Sequence, residues 1–162
     1  MERGGSLDEN EFAERTQALR TRLYRTAYLM LGGEAAAMDA VDEAVFKGLV
    51  SLKSLKQPEY FNTWLARILL NECRAERRGR KELPEKAQEQ FDALPLRDAA
   101  TRLPKDLREA VVLRCFAGFT TAETAHIQRV PQGVAATRGR RALTVLRLEF
   151  TGEEAVSNGQ AG

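Results

Sequence analysis

Sulfur and imidazole are scarce in this chain. Among 162 residues there are two cysteines and one histidine; Cys73 and Cys115 belong to no CxxC pair, and His126 has no ligand cluster around it in sequence. Neither a disulfide framework nor a zinc site is indicated, so no metal and no cofactor is expected, and all three read as packing or ordinary helix residues. Long apolar runs are missing too. No stretch of about 18 residues could cross a bilayer, and the opening Met-Glu-Arg-Gly-Gly-Ser lacks the apolar core of a signal peptide. A cytoplasmic chain with no membrane insertion is the expectation. Sustained alternation of apolar and polar residues is absent, as is any internal repeat, which leaves an all-α fold. There is also no nucleophile elbow, no glycine-rich phosphate loop and no metal-ligand spacing. Nothing remains to carry enzymatic chemistry, so the chain is not read as an enzyme.

What the chain has is charge, unevenly placed. Lys and Arg number 25 against 23 Asp and Glu, a net charge of only +2. Yet Arg74, Arg77, Arg78, Arg80 and Lys81 form one basic block, and Arg138, Arg140 and Arg141 form another. Two separated patches suggest two contacts with a polyanion.

Helical spacing of apolar residues organises the rest. A Ser6-x-x-Glu9 capping box opens a helix over 7–31, with Phe12, Leu19, Leu23, Ala27 and Leu31 on one face and Gly32-Gly33 as its stop. A second helix carries Ala37, Ala40, Val41, Ala44, Val45, Leu49 and Leu52 on one side and Asp39, Asp42, Glu43 and Lys47 on the other. Lys53 to Gln57 is a polar connector. Phe61, Trp64, Leu65, Ile68, Leu69 and Cys73 then build a third helix that runs into the first basic block, with Trp64 expected in the core. These helices make a first domain over 7–79. Pro84, Pro95 and Pro104 interrupt the next stretch, read as a linker over 80–103 with a short helix at Glu85 to Leu94. A second domain over 104–150 starts with a helix through Leu107, Ala110, Val111, Leu113 and Phe116 to Gly118. It continues as two helices around a tight turn: Thr120 and Glu123 form a capping box, Pro131 suits the first turn of the next helix, and Ala142, Leu146 and Phe150 follow at spacings of four. A helix so loaded with arginine is how a protein presents itself to a DNA groove. Residues 151–162 read as a fraying tail.

Three segments in order resemble one family. Leu31-Gly32-Gly33 with Asp39-Ala40-Val41-Asp42-Glu43-Ala44, then Phe61-Asn62-Thr63-Trp64-Leu65-Ala66-Arg67-Ile68 with Asn71 and the arginine run, and finally Leu103-Pro104-Lys105-Asp106-Leu107-Arg108-Glu109 are similar to stretches of the extracytoplasmic-function sigma factors of bacterial RNA polymerase. The resemblance covers about Leu23 to Leu148 and implies a region 2 bundle, a linker and a region 4 helix-turn-helix. It implies core RNA polymerase, promoter DNA and an anti-sigma factor as partners. Carried onto this sequence, Asp39, Asp42, Glu43 and Lys47 would dock on polymerase. Tyr60, Phe61, Asn62, Arg67, Asn71, Arg74 and Arg77 would hold the melted minus-10 strand, Phe61 being equally suited to the core. Gln132, Thr137, Arg138 and Arg141 would read the minus-35 duplex, with Arg140 on phosphate. The chain departs from the pattern at Thr124, Gln128, Arg129, Ala136 and Gly139. Arg129 costs stability if the turn is left-handed, and Gly139 inside a helix costs about 1 kcal/mol relative to alanine. These departures motivate a second reading, a sigma-like adaptor that binds polymerase, protein or duplex DNA without opening promoters.

Overall fold

The computed structural model describes residues 7–79 and 95–157, and every described element is helical. In chain order these are α1 (Glu9–Leu31), α2 (Glu34–Val50), α3 (Phe61–Gly79), α4 (Pro95–Thr101), α5 (Lys105–Val111), α6 (Thr121–Gln128) and α7 (Gln132–Ser157). Short 3-10 turns at Leu52–Ser54 and Pro58–Tyr60 join α2 to α3, and a π-helical turn, Val112–Phe116, extends α5. The expected helix at Glu85 to Leu94 lies outside the described residues, as do Ser6, Arg80 and Lys81.

The first bundle is built from α1, α2 and α3 packed on one another. Its entry differs from the Ser6 expectation, because Asp8 is the cap. The Asp8 carboxylate accepts the Glu11 amide at 2.8 Å while Glu11 accepts the Asp8 amide at 3.3 Å, a complete capping box. Gly32 ends α1 in the left-handed region at φ 78°, where a glycine is free of the steric cost other residues bear. Phe12, Leu19, Leu23, Ala27 and Met30 of α1 are buried with Ala37, Ala40, Val41 and Ala44 of α2 and Phe61, Leu65, Leu69 and Cys73 of α3. Small residues on α2 let α3 come close. At Gly48 a Cβ would stand 2.9 Å from Leu65 Cδ1 and 3.4 Å from the Phe12 ring. Trp64, expected inside, is half-buried against this core, its ring centroid 5.9 Å from that of Phe61.

The second bundle starts earlier than the sequence suggests. Residues 95–103 fall within the expected linker, yet α4 packs on α7, and Ala99, Ala100 and Leu103 are buried. Pro95 is compatible with helix because it opens the first turn, where no amide hydrogen is needed. Buried Arg108 holds α4 in place by donating to the carbonyls of Ala100 at 3.2 Å, Thr101 at 3.1 Å and Leu103 at 3.0 Å. Burial, then the nearby Arg77 charge, pushes its guanidinium down to about 10, against an opposing pull from Glu109. Beyond Gly118, at φ 82°, the Thr120–Glu123 capping box forms with bonds of 3.0 and 2.9 Å and starts α6. Helix α7 rests on α5 and α6 through Ala135, Ala142 and Leu146. It runs on to Ser157, so the expected tail is helical through that residue.

The two bundles touch. Helix α3 lies against α6, α1 against the π turn, and the buried apolar side chains of both bundles form one continuous cluster.

Candidate functional site

Asp39, Asp42 and Glu43 all lie on the exposed side of α2. Arg20 donates to Asp42 at 3.0 Å, and Lys47 is drawn off to Glu72 of α3, whose hydrogen bond raises the lysine above its ordinary value. The same side carries large apolar groups that sequence reasoning missed. Phe46 is 60% exposed and Val50 69%, with Met38 and Leu49 beside them. Spacing alone puts Leu49 in the inward stripe, but small alanines fill the contact with α1 and α3, and the outer helix face is left with the bulky residues. Acids flanking exposed aromatic and aliphatic groups suit a partner helix that is both basic and apolar.

On α3, residues 67, 71, 74 and 78 follow one another at spacings of four, three and four. They share one face. Asn71 and Arg78 are exposed, and Tyr60 stands half out of the preceding turn. Asn62 is exposed at the helix start. Two expected strand contacts are placed elsewhere. Phe61 is 1% exposed, packed edge-on against Phe12 at 5.8 Å, so its ring cannot receive a base and it is removed from the candidate set. Arg77 turns into its own bundle and donates to the Met30 carbonyl at 2.7 Å, capping the end of α1 where the helix dipole is negative. Burial lowers its guanidinium below the ordinary value.

Arg67 and Arg74 meet the second bundle. Arg74 grips Glu109 of α5 through two bonds, Nε to Oε2 at 2.9 Å and Nη2 to Oε1 at 2.8 Å. The Glu109 side chain is fully buried and that of Arg74 is 27% exposed. Such a fork is stronger and more directional than a single bond. Gln128 of α6 also donates to Glu109, at 3.1 Å. Where the family pattern has an apolar residue, this chain therefore has a partner for a buried acid. Thr124, the other polar departure, is fully buried, and its hydroxyl finds no hydrogen-bond partner among the described residues.

The turn after α6 is left-handed at Arg129, the costly case: φ is 63° and ψ is 48°. Val130 donates to the Ala125 carbonyl at 3.0 Å and Arg129 to His126 at 3.3 Å, the paired bonds of a Schellman stop. The following helix has a clear division of faces. Ala135, Gly139, Ala142 and Leu146 point inward, whereas Thr137, Arg140 and Arg141, with Thr144, line an open groove on the outer side that also includes Leu107 and Val145. Gly133 lies on this outer face with open space before it, a position spacing alone does not single out. Gln132 is exposed at the helix start. Arg138 is set apart. It flanks the inner stripe and reaches Asp106 at 3.5 Å.

Residues 16–82 match the sigma-70 region 2 family. The sigma factor SigV of Bacillus subtilis is 25% identical over 142 residues, covering 81% of this chain and 86% of its own length. The extracytoplasmic-function sigma factor SigW of the same organism is 26% identical over 169 residues, covering 88% and 90%. The match to the family model is confined to the first bundle, and over most of its length the chain is similar to extracytoplasmic-function sigma factors. Its fold agrees with that of the sigma factor RpoE from Bartonella quintana, solved in complex with the anti-sigma factor NepR. The TM-score is 0.74 with 22% identity, over 88% of this chain and 98% of that one. No helix among the described residues of this chain is long and apolar enough to cross a membrane.

Proposed function

We propose that this chain is a sigma factor that docks on core polymerase through the outer face of α2, holds the melted minus-10 strand on α3, and reads the minus-35 duplex with the outer face of α7. The observation that carries the reading is the division of labour along one chain. An acidic and apolar face, a row of Arg67, Asn71, Arg74 and Arg78 beside Tyr60, and a basic outer helix face occur in the order that promoter opening needs. Asn71 and the arginines offer donors to phosphates and base edges, and the exposed Tyr60 ring offers a stacking surface. On α7, Arg140 and Arg141 suit phosphate and guanine edges, and Thr137 suits either. Arg138 keeps a place at the duplex only by leaving Asp106. By likeness to RpoE and its NepR complex, an anti-sigma factor is a further proposed partner.

Run-off transcription with core polymerase on a library of promoter fragments tests the whole. Transcripts that depend on this protein and share a two-part upstream motif are the expected result. Core binding without transcripts would favour the adaptor reading. At the α2 face, Asp39→Arg should weaken co-purification with core enzyme while the helical circular dichroism stays unchanged, and undiminished binding would remove that face from the proposal.

A further inference from the structure

Arg67, Arg74 and Tyr60, of the row on α3 proposed to hold single-stranded DNA, are engaged by the chain's own second bundle, while Asn71 and Arg78 stay exposed. Arg74 spends Nε and Nη2 on Glu109. Arg67 donates Nη2 to the His126 carbonyl at 2.8 Å, at the negative end of α6, and the Tyr60 ring stands 6.1 Å from the His126 imidazole. A fourth contact comes from α1. Arg22 donates Nε to the Ala117 carbonyl at 2.7 Å, and its guanidinium lies 4.3 Å from the centre of the Phe119 ring. The outer face of α7, by contrast, is turned away from α3, since the second bundle meets the first through α4, Glu109 of α5, the π turn and α6.

We propose that these contacts form a latch: the closed chain masks its own single-strand face while leaving its duplex-reading helix bare, and strand capture requires Glu109 to release Arg74. The inference rests on the reading of α3 as the strand-binding face. Its chemical basis is exclusion. The Nε–Nη2 edge of Arg74 that grips the buried carboxylate cannot at the same time turn to a phosphate or a base edge, and the contacts of Arg67 and Tyr60 with α6 crowd the same face. Glu109 is built to receive that edge, because Gln128 of its own bundle holds one of its oxygens. The apparent affinity for a strand then falls by the fraction of molecules that are open. Duplex binding at α7 pays no such factor.

The experiment compares the full chain with Arg22→Ala and Glu109→Gln. Small-angle scattering reads closure, and fluorescence anisotropy reads binding of a mixed-sequence single-stranded oligonucleotide and of a duplex of equal length. Arg22→Ala removes a contact between bundles and leaves every apolar core side chain in place, although it uncovers the Phe119 ring, so it remains informative if Glu109→Gln folds poorly. The expected result is a larger radius of gyration and single-strand binding about 3- to 10-fold tighter, with duplex binding unchanged. An unchanged radius and unchanged single-strand affinity in folded Arg22→Ala would overturn the latch. Arg74→Ala, made in the Arg22→Ala background, separates the two ideas. If it weakens single-strand binding although the single variants neither expand nor bind tighter, the latch fails and the strand-face reading survives. If the variants expand but Arg74→Ala changes nothing, the strand-face reading fails, and with it the masking.

Discussion

The two cysteines are one chemical group in two surroundings. Cys73 is buried in the first bundle, and burial, followed by the charge of Glu109, pushes its thiol up to about 12 from 9.0, whereas Cys115 is exposed on the π turn. Because the thiolate is the reactive species, a disulfide reagent at pH 8 should label one thiol per native chain quickly and the second only on unfolding. Rapid labelling of both would place Cys73 at the surface. The same shift has a consequence for stability. The folded state holds the Cys73 proton more tightly than the unfolded chain does, so its contribution is complete below about pH 9 and is lost as pH rises from 9 towards 12. Denaturant titrations across that window should show a shallower alkaline loss for Cys73→Ala than for the parent chain.

At the scale of elements, the helix-turn-helix carries two avoidable costs. Arg129 sits at φ 63°, where a side chain costs about 1 kcal/mol or more relative to glycine. Gly139 lies inside α7, and a Cβ built there meets nothing within 4 Å. Gly139→Ala should therefore recover about 1 kcal/mol of helix propensity, a rise in melting temperature of about 2–4 °C for a chain of this size. Arg129→Gly should act in the same direction, and it also removes a like charge that adds to burial in holding the Arg67 guanidinium below its ordinary value. A melting temperature that falls in Gly139→Ala would mean that the inner stripe of α7 is packed more tightly than the free space indicates. Both costs are visible in the sequence, as are the helices other than α4, because period and glycine stops are local signals, whereas α4 reads as linker and Ser6 as the cap of α1. The exposure of Phe46 and Leu49 is not, since a 3.6-residue stripe does not say which of two apolar edges faces the neighbour. Nor is the fate of Glu109. In sequence it is the polar side of an amphipathic helix, and its burial depends on an arginine 35 positions earlier. Gln128 is the one hint, a polar residue where an apolar one is expected, and its meaning requires its partner.

For the molecule as a whole, a net charge of +2 conceals cations assigned to different tasks. Arg22, Arg67, Arg74, Arg77 and Arg108 each bond an oxygen of the chain itself, and these bonds tie helices and bundles together. Arg140 and Arg141 stand exposed on α7, and Arg78 stands exposed on α3 of the other bundle. Duplex DNA meeting the chain in its closed form should therefore release counterions to α7 and not to α3. On a duplex carrying only an upstream element, the slope of log affinity against log salt should fall in magnitude by about 0.9 when Arg140 becomes alanine, the share of a single neutralised phosphate. Arg78→Ala should leave that slope unchanged. If instead both substitutions lower it equally, the duplex runs across both bundles, and α7 alone does not account for the upstream contact. If neither does, the cations that meet the duplex lie elsewhere on the surface, and the outer groove of α7 loses its claim to the phosphate backbone.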